Sequence, residues 1–166
     1  MTRLGDATPA WVFDARDGEL MELALAEARL AAAAAEVPIG AVVVDRARTV
    51  LARAHNRRER DRDPTAHAEI LALRAAGGQG GGWRLEGTTL YVTVEPCAMC
   101  AAACVLARVE CVVWAAADPR AGFAGSVANL LEDPRLDHRV AWRCGLRAAE
   151  AAGLLEAFFA KLRSRG

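Results

Sequence analysis

Two short motifs, HAE at 67–69 and PCAMC at 96–100, limit this chain more than any other part of it. PCAMC follows a predicted strand and opens a predicted helix; HAE opens another, and both are read as strand-to-helix junctions. Cys97 and Cys100 are three residues apart, so on a helix they lie on the same side and can bind one ion. Helix N-termini favour negative charge, which lowers thiol pKa values and eases the formation of thiolate ligands. His67 with these two thiolates makes three protein ligands for Zn²⁺, leaving the fourth tetrahedral position for water, the mark of a catalytic rather than a structural metal. Seven residues of helix span about 10.5 Å, too far for Cys97 and Cys104 to share an ion at roughly 2.3 Å per Zn–S bond. Cys104, Cys111 and Cys144 are therefore read as core. Zinc lowers the pKa of bound water to about 7, and Glu69 is read as the carboxylate that takes its proton and delivers it to a leaving amine. The plain alternative for Glu69 is a first-turn helix charge. Glu95, just before Pro96, is read as a structural hydrogen-bonder.

The rest of the chain supplies the frame. Apolar residues at Met21, Ala24, Leu25, Ala28, Ala31, Ala32 and Ala35 predict a helix over 17–35, with Asp17 as its cap and Pro38 as its stop. The β-branched run at 39–44 predicts a strand covered on both faces, and 50–54 a second strand. Residues 56–63, NRRERDRD, read as an exposed loop. Thr65 is placed as the cap of a helix over 66–75, ended by the glycines of 77–82. A strand over 90–94, a helix over 98–107, a buried strand over 109–117 and a working loop over 118–137 follow. The last element is a helix with Leu155, Phe158, Phe159 and Leu162 on one face. This order predicts an α/β chain, one sheet sandwiched between helices. A single domain over 1–166 is expected, with 1–16 as a loosely ordered extension.

Composition narrows the classes further. The 166 residues are 54% apolar and 25% charged, in the range of one globular domain and not of a disordered tail or a fibre. No run approaches the roughly 18 apolar residues of a bilayer span, and the first residues lack a signal pattern, so a cytoplasmic protein without a membrane partner is expected. Twenty-one basic residues balance twenty-one acidic ones, which speaks against a sequence-independent nucleic-acid binder. Five cysteines without a secretory pattern are read as reduced thiols.

H-x-E followed by P-C-x-x-C is the signature of the zinc-dependent nucleobase deaminases. Within that superfamily the chain resembles the bacterial tRNA-specific adenosine deaminases, in EVPIGAVVV at 36–44, HNR at 55–57, DPTAHAEILALR at 63–74, TLYVTVEPCAMC at 89–100, AGS at 124–126 and HRV at 138–140. The resemblance implies a three-layer α/β/α sandwich with a mixed, cytidine-deaminase-like sheet, a homodimer, and one zinc per subunit held by His67, Cys97 and Cys100. It implies a tRNA anticodon loop as partner and substrate, with wobble adenosine becoming inosine as zinc-bound hydroxide attacks carbon 6 and Glu69 shuttles the proton. Substrate contacts are implied for Asn56, Ile39, Ala68, Asp118, Phe158 and Phe159. Each of these has a plainer alternative: Asn56 could cap a strand end, Ile39 could be core, Asp118 could begin a turn, and the phenylalanines could fill an ordinary helix face. Arg120, Ala102 and Asp137 depart from the usual Lys, Gly and Asn of that family.

Two rival readings use the same motif. A deaminase of a free guanine- or cytosine-type base, nucleoside or nucleotide would need the same zinc and glutamate. A zinc-stabilised binding domain would need a fourth protein ligand. The Arg-rich 56–63 segment and the basic C-terminal residues Lys161, Arg163 and Arg165 offer local charge to an RNA backbone.

Overall fold

In the computed structural model, which describes residues 11–164, the chain runs α1 (Ala15–Ala33), β1 (Gly40–Val44), β2 (Val50–His55), α2 (Arg58–Asp61), α3 (Ala68–Gly80), β3 (Thr89–Val94), α4 (Ala98–Leu106), β4 (Cys111–Ala116), β5 (Ala141–Cys144) and α5 (Ala148–Arg163). The strands form one sheet in the order β2-β1-β3-β4-β5. β1 runs antiparallel to β2 and β3, whereas β3, β4 and β5 are parallel. Strand alternation sends successive side chains to opposite faces. Ala41, Val43, Leu90, Val92, Val112 and Trp114 pack under α3 and α4. Val42, Val44, Tyr91, Val113 and Ala115 pack under α1 and α5. Burial on both faces is why β1, β3 and β4 read as continuous apolar runs. The three-layer mixed-sheet sandwich is the expected one, and no helix among the described residues is long and apolar enough to cross a membrane.

α1 crosses β1 at contact distance. A Cβ on Gly40 would lie 2.0 Å from the Ala24 carbonyl oxygen, so only glycine fits. The helix starts at a capping box in which Asp14 Oδ1 accepts from the Asp17 N–H at 2.8 Å and Asp17 Oδ2 from the Asp14 N–H at 3.1 Å. Asp14 is thus the cap, three residues before the one expected. Asp17 instead faces inward, where the Tyr91 hydroxyl donates to it at 2.6 Å and Arg143 at 2.9 and 3.0 Å. Burial opposes its charge, but the Arg143 and Tyr91 hydrogen bonds outweigh it and hold the carboxyl at about 2.

Several expectations are corrected. The extension expected over 1–16 is packed from residue 11 onward, with Trp11 edge-on to Trp142 at 5.5 Å; residues 1–10 lie outside the described part. Part of the loop at 56–63 is the short helix α2. α3 continues through Gly77, Gly78 and Gln79 to Gly80, and Gly81, at φ 72°, supplies the left-handed cap that earlier glycines were assigned. Residues 141–144 form an edge strand that periodicity did not reveal. α5 docks through Ala151, Ala152 and Leu154, while Phe159 and Leu162 on the expected apolar face remain 42% and 49% exposed.

Candidate metal centre

The backbone brings the two motifs together by ending two elements at one place. β3 delivers Glu95 and Pro96, after which Cys97 caps α4. His67 caps α3, but it follows α2 and a turn rather than a strand, which corrects the expected junction. That turn is built by Asp63, whose Oδ1 accepts from both the N–H and the hydroxyl of Thr65 at 2.7 Å; Thr65 thus shapes the approach and does not cap the helix. Neither His67 nor Cys97 makes a side-chain cap hydrogen bond, which leaves imidazole and thiol to face each other.

His67 Nδ1 lies 3.6 Å from Cys97 Sγ and 3.5 Å from Cys100 Sγ, and these three donor atoms all fall within 4.8 Å of one another. Cys104, fully buried behind them on α4, is outside the group, as helix spacing requires. The cluster's protons are shared unevenly. The hydrogen bond from Cys100, with burial opposing and His67 assisting, pulls the Cys97 thiol down to about 4. The same bond, together with burial, pushes the Cys100 thiol well up. His67 is raised chiefly by its bond to Cys97, against burial. Two sulfurs and one imidazole nitrogen crowded this closely form a donor set suited to a borderline-soft cation such as Zn²⁺.

Glu69 sits one residue into α3, 3% exposed, and burial raises its carboxyl to about 6. Among the described residues its Oε2 is buried without any hydrogen-bond partner. Buried carboxylate oxygens are normally satisfied, so an orphan beside this donor set points to a group that binds there.

Glu95 does what the sequence reading expected. Its Oε2 accepts from the Asp118 N–H at 3.0 Å and the Ser126 hydroxyl at 2.5 Å, and its Oε1 from the Ala124 and Ser126 N–H groups at 3.1 and 2.9 Å. These bonds lay the 118–126 loop on the cysteine motif, where Gly122 pairs with Cys97. A Cβ on Gly122 would fall 2.3 Å from the Glu95 carboxyl carbon, so this loop accepts only glycine there.

The expected substrate residues divide. Asn56 is 3% exposed and tied by its N–H to the Ile39 carbonyl at 3.0 Å, while Arg57 beside it bonds the Ala66 carbonyl next to His67. Asn56 also lines a cavity of about 280 Å³ with Glu36, Arg58, Phe158, Phe159 and Leu162, which brings the phenylalanines to Asn56; His67, Glu69, Cys97 and Cys100 are not among its lining residues. Ile39 packs partly against the core. Ala68 is fully buried in that core. Asp118 Oδ1 accepts from the Arg120 and Ala121 N–H groups at 3.0 and 3.1 Å, the turn that the plainer reading named. Glu36, which this cavity exposes as a wall residue, escaped the sequence reading.

Residues 14–116 match the cytidine and deoxycytidylate deaminase zinc-binding region. The chain is 47% identical over 150 residues to the tRNA-specific adenosine deaminase of Bacillus subtilis, covering 90% of this chain and 92% of the relative. A structure from a study of A-to-I editing by tRNA:A34 deaminases at the wobble position superposes with a TM-score of 0.80 at 44% identity, over 82% of this chain and 99% of that one. A guanine deaminase from Nitrosomonas europaea is similar at TM-score 0.77 and 25% identity, over 90% and 86% of the two chains.

Proposed function

The chain belongs to the cytidine and deoxycytidylate deaminase zinc-binding family, and from that premise we propose that it converts adenosine to inosine at the wobble position of a tRNA anticodon, using one zinc ion per chain. The orphaned Glu69 oxygen beside the His67, Cys97 and Cys100 donors carries this proposal. Zinc held by those three residues supplies a Lewis acid that makes water nucleophilic near pH 7. Glu69 would carry one proton of the attacking water to N1 of the adenine ring, where it stays in the product, and then carry the second, from the hydroxyl added at carbon 6, to the amino group. Oxygen adds to carbon 6 first; when the added hydroxyl gives up its proton and becomes the carbonyl, the bond to nitrogen breaks and ammonia leaves. A carboxyl near pKa 6 accepts and returns a proton at neutral pH with little penalty in either direction. Asn56 holds the base edge, Ile39 lies beside the base, and Asp118 keeps Oδ2 for a ribose hydroxyl.

The rim favours a macromolecular substrate over a free base. Phe159 and Leu162 are open to solvent beside the Asn56 cavity, and Arg58, Arg60 and Arg62 stand exposed next to it. Exposed aromatic rings stack unpaired bases and arginines follow phosphates, the means by which single-stranded loops are held. The test is to incubate zinc-loaded protein with an anticodon stem-loop carrying wobble adenosine and, separately, with free adenosine, guanine, cytosine and cytidine. Inosine in the stem-loop is the expected product. Ammonia released only from the free compounds would overturn the tRNA reading in favour of a small-molecule deaminase.

An apolar groove supports the reading of a homodimer. Ile70 and Leu73 of α3, Val105 and Leu106 of α4, Trp83 and Leu136 line a concavity of about 860 Å³, with Trp83 61% and Leu106 72% exposed. A patch of this kind on a small domain marks an interface. Arg74, Arg108 and Asp137 lie in the same groove and give it both signs of charge, which is compatible with a self-complementary two-fold contact. Wild-type protein is expected to sediment as a dimer and Leu106→Arg as a monomer; a monomeric wild type would contradict this interface.

A further inference from the structure

Glu36 is a buried carboxylate with an unusual set of partners. It is 2% exposed, and among the described residues it forms no ion pair. Its Oε1 accepts from the Arg60 N–H at 2.8 Å and its Oε2 from Asn56 Nδ2 at 3.2 Å. An ionised carboxylate is expensive to bury without a cation, so its presence calls for a reason beyond packing.

The backbone is bent to put it there. α1 ends in a Schellman motif: the Glu36 N–H bonds the Ala31 carbonyl at 2.9 Å and the Ala35 N–H the Ala32 carbonyl at 3.1 Å. The left-handed position belongs to Ala35, at φ 61°, where glycine would be free of strain. That turn drives Glu36 inward to the wall of the Asn56 cavity.

We propose that Glu36 is a positioning residue for the reaction, one that fixes which way the Asn56 amide faces. This rests on the deaminase reading above and deepens it. A carboxylate accepts hydrogen bonds and cannot donate them. It holds the NH₂ end of Asn56 and repels the carbonyl end, so a 180° flip of the amide is forbidden. Oδ1 and the second N–H of Asn56 then keep one fixed arrangement, an acceptor and a donor side by side. That pair matches the N6 amino group and N7 of adenine, the edge an amide reads bidentately. A flipped amide would set donor against donor and acceptor against acceptor. The Arg60 bond anchors the carboxylate itself to α2, so the two oxygens cannot exchange roles.

Glu36→Gln breaks this logic without removing volume, because the glutamine amide can donate to Asn56 Oδ1 and so admits the flipped state. The experiment is a double-mutant cycle on inosine formation in the anticodon stem-loop, using wild type, Glu36→Gln, Asn56→Ala and the double variant, with zinc content and melting temperature measured for each. Glu36→Gln is expected to lower kcat/KM by about tenfold to thirtyfold, the size of a lost oriented hydrogen bond to a charged group. In the Asn56→Ala background the same substitution should change kcat/KM by less than about twofold, with zinc still bound. Equal losses in both backgrounds would make Glu36 a purely structural residue and overturn the proposal. If Glu36→Gln does not fold, Glu36→Asp, whose carboxylate stops one methylene short of the amide, enters the same cycle with the same criterion. A wild type that leaves the stem-loop unmodified would fail the deaminase reading itself, a result distinct from additivity.

Discussion

Glu69→Gln is expected to fold, hold one zinc per chain and lose deamination by about three orders of magnitude, within the range general acid–base groups supply. Three features of the wild type lead there. The side chain is buried beside the donor set, its Oε2 has no partner among the described residues, and burial lifts its carboxyl to about 6. The amide cannot take up a proton, so both transfers to the purine stop. Stability should move the other way. A buried carboxylate with one orphaned oxygen costs folding free energy, so the variant should melt no lower than wild type. Site residues that weaken the fold they occupy are a recurrent sign of function. Undiminished turnover in this variant would refute the assignment of Glu69. A fall in activity accompanied by zinc loss would make it a metal-holding residue instead.

The second large effect concerns the sulfurs. Cys100→Ala is expected to bind zinc at under roughly a tenth of the wild-type level and to show no measurable deamination, since two donors do not hold the ion tightly. The protein should remain folded, because the core packed on both faces of the sheet is formed by Val42, Val43, Leu90, Val92, Trp114 and their neighbours without any metal. Melting should nonetheless fall on the order of 10 °C. Saturation at a thousand times Kd adds about 4 kcal/mol, and a chain of this size moves about 2–4 °C per kcal/mol. Cys104→Ala, four residues further along α4, is the control: its sulfur is outside the donor group, so full zinc content is expected. Zinc loss in Cys104→Ala would place a third sulfur in the site.

Much of this was legible in the chain, for local reasons. β1, β3 and β4 are buried on both faces, so continuous β-branched runs betray them. His67, Cys97 and Cys100 declare themselves because ligand type and spacing suffice. The misses depend on distant partners. Arg143 sits in the middle of β5 and hides the strand, yet it is there to meet Asp17, 126 residues earlier. Asp17 looked like a cap because its inward role is set by Tyr91 and Arg143, which no local pattern foretells. α3 runs on through glycines that propensity alone would use to stop it, and Gly81 at φ 72° ends it instead. Glu36 is the instructive case. It stands between an alanine-rich helix and Pro38, and no local pattern there marks it as buried. Its burial follows from a left-handed alanine and from donors 20 and 24 residues away. The phenylalanines of α5 were visible as an apolar face, but only the packing tells that this face opens toward Asn56 rather than into the core.

X-ray absorption at the zinc edge of the purified protein goes most directly to the coordination of the ion. One zinc per chain, with two sulfur neighbours and two nitrogen or oxygen neighbours, one of them exchangeable solvent, is the expected result. A third sulfur in the spectrum, or protein that takes up no stoichiometric zinc, would contradict a His67, Cys97 and Cys100 site with one position open for chemistry.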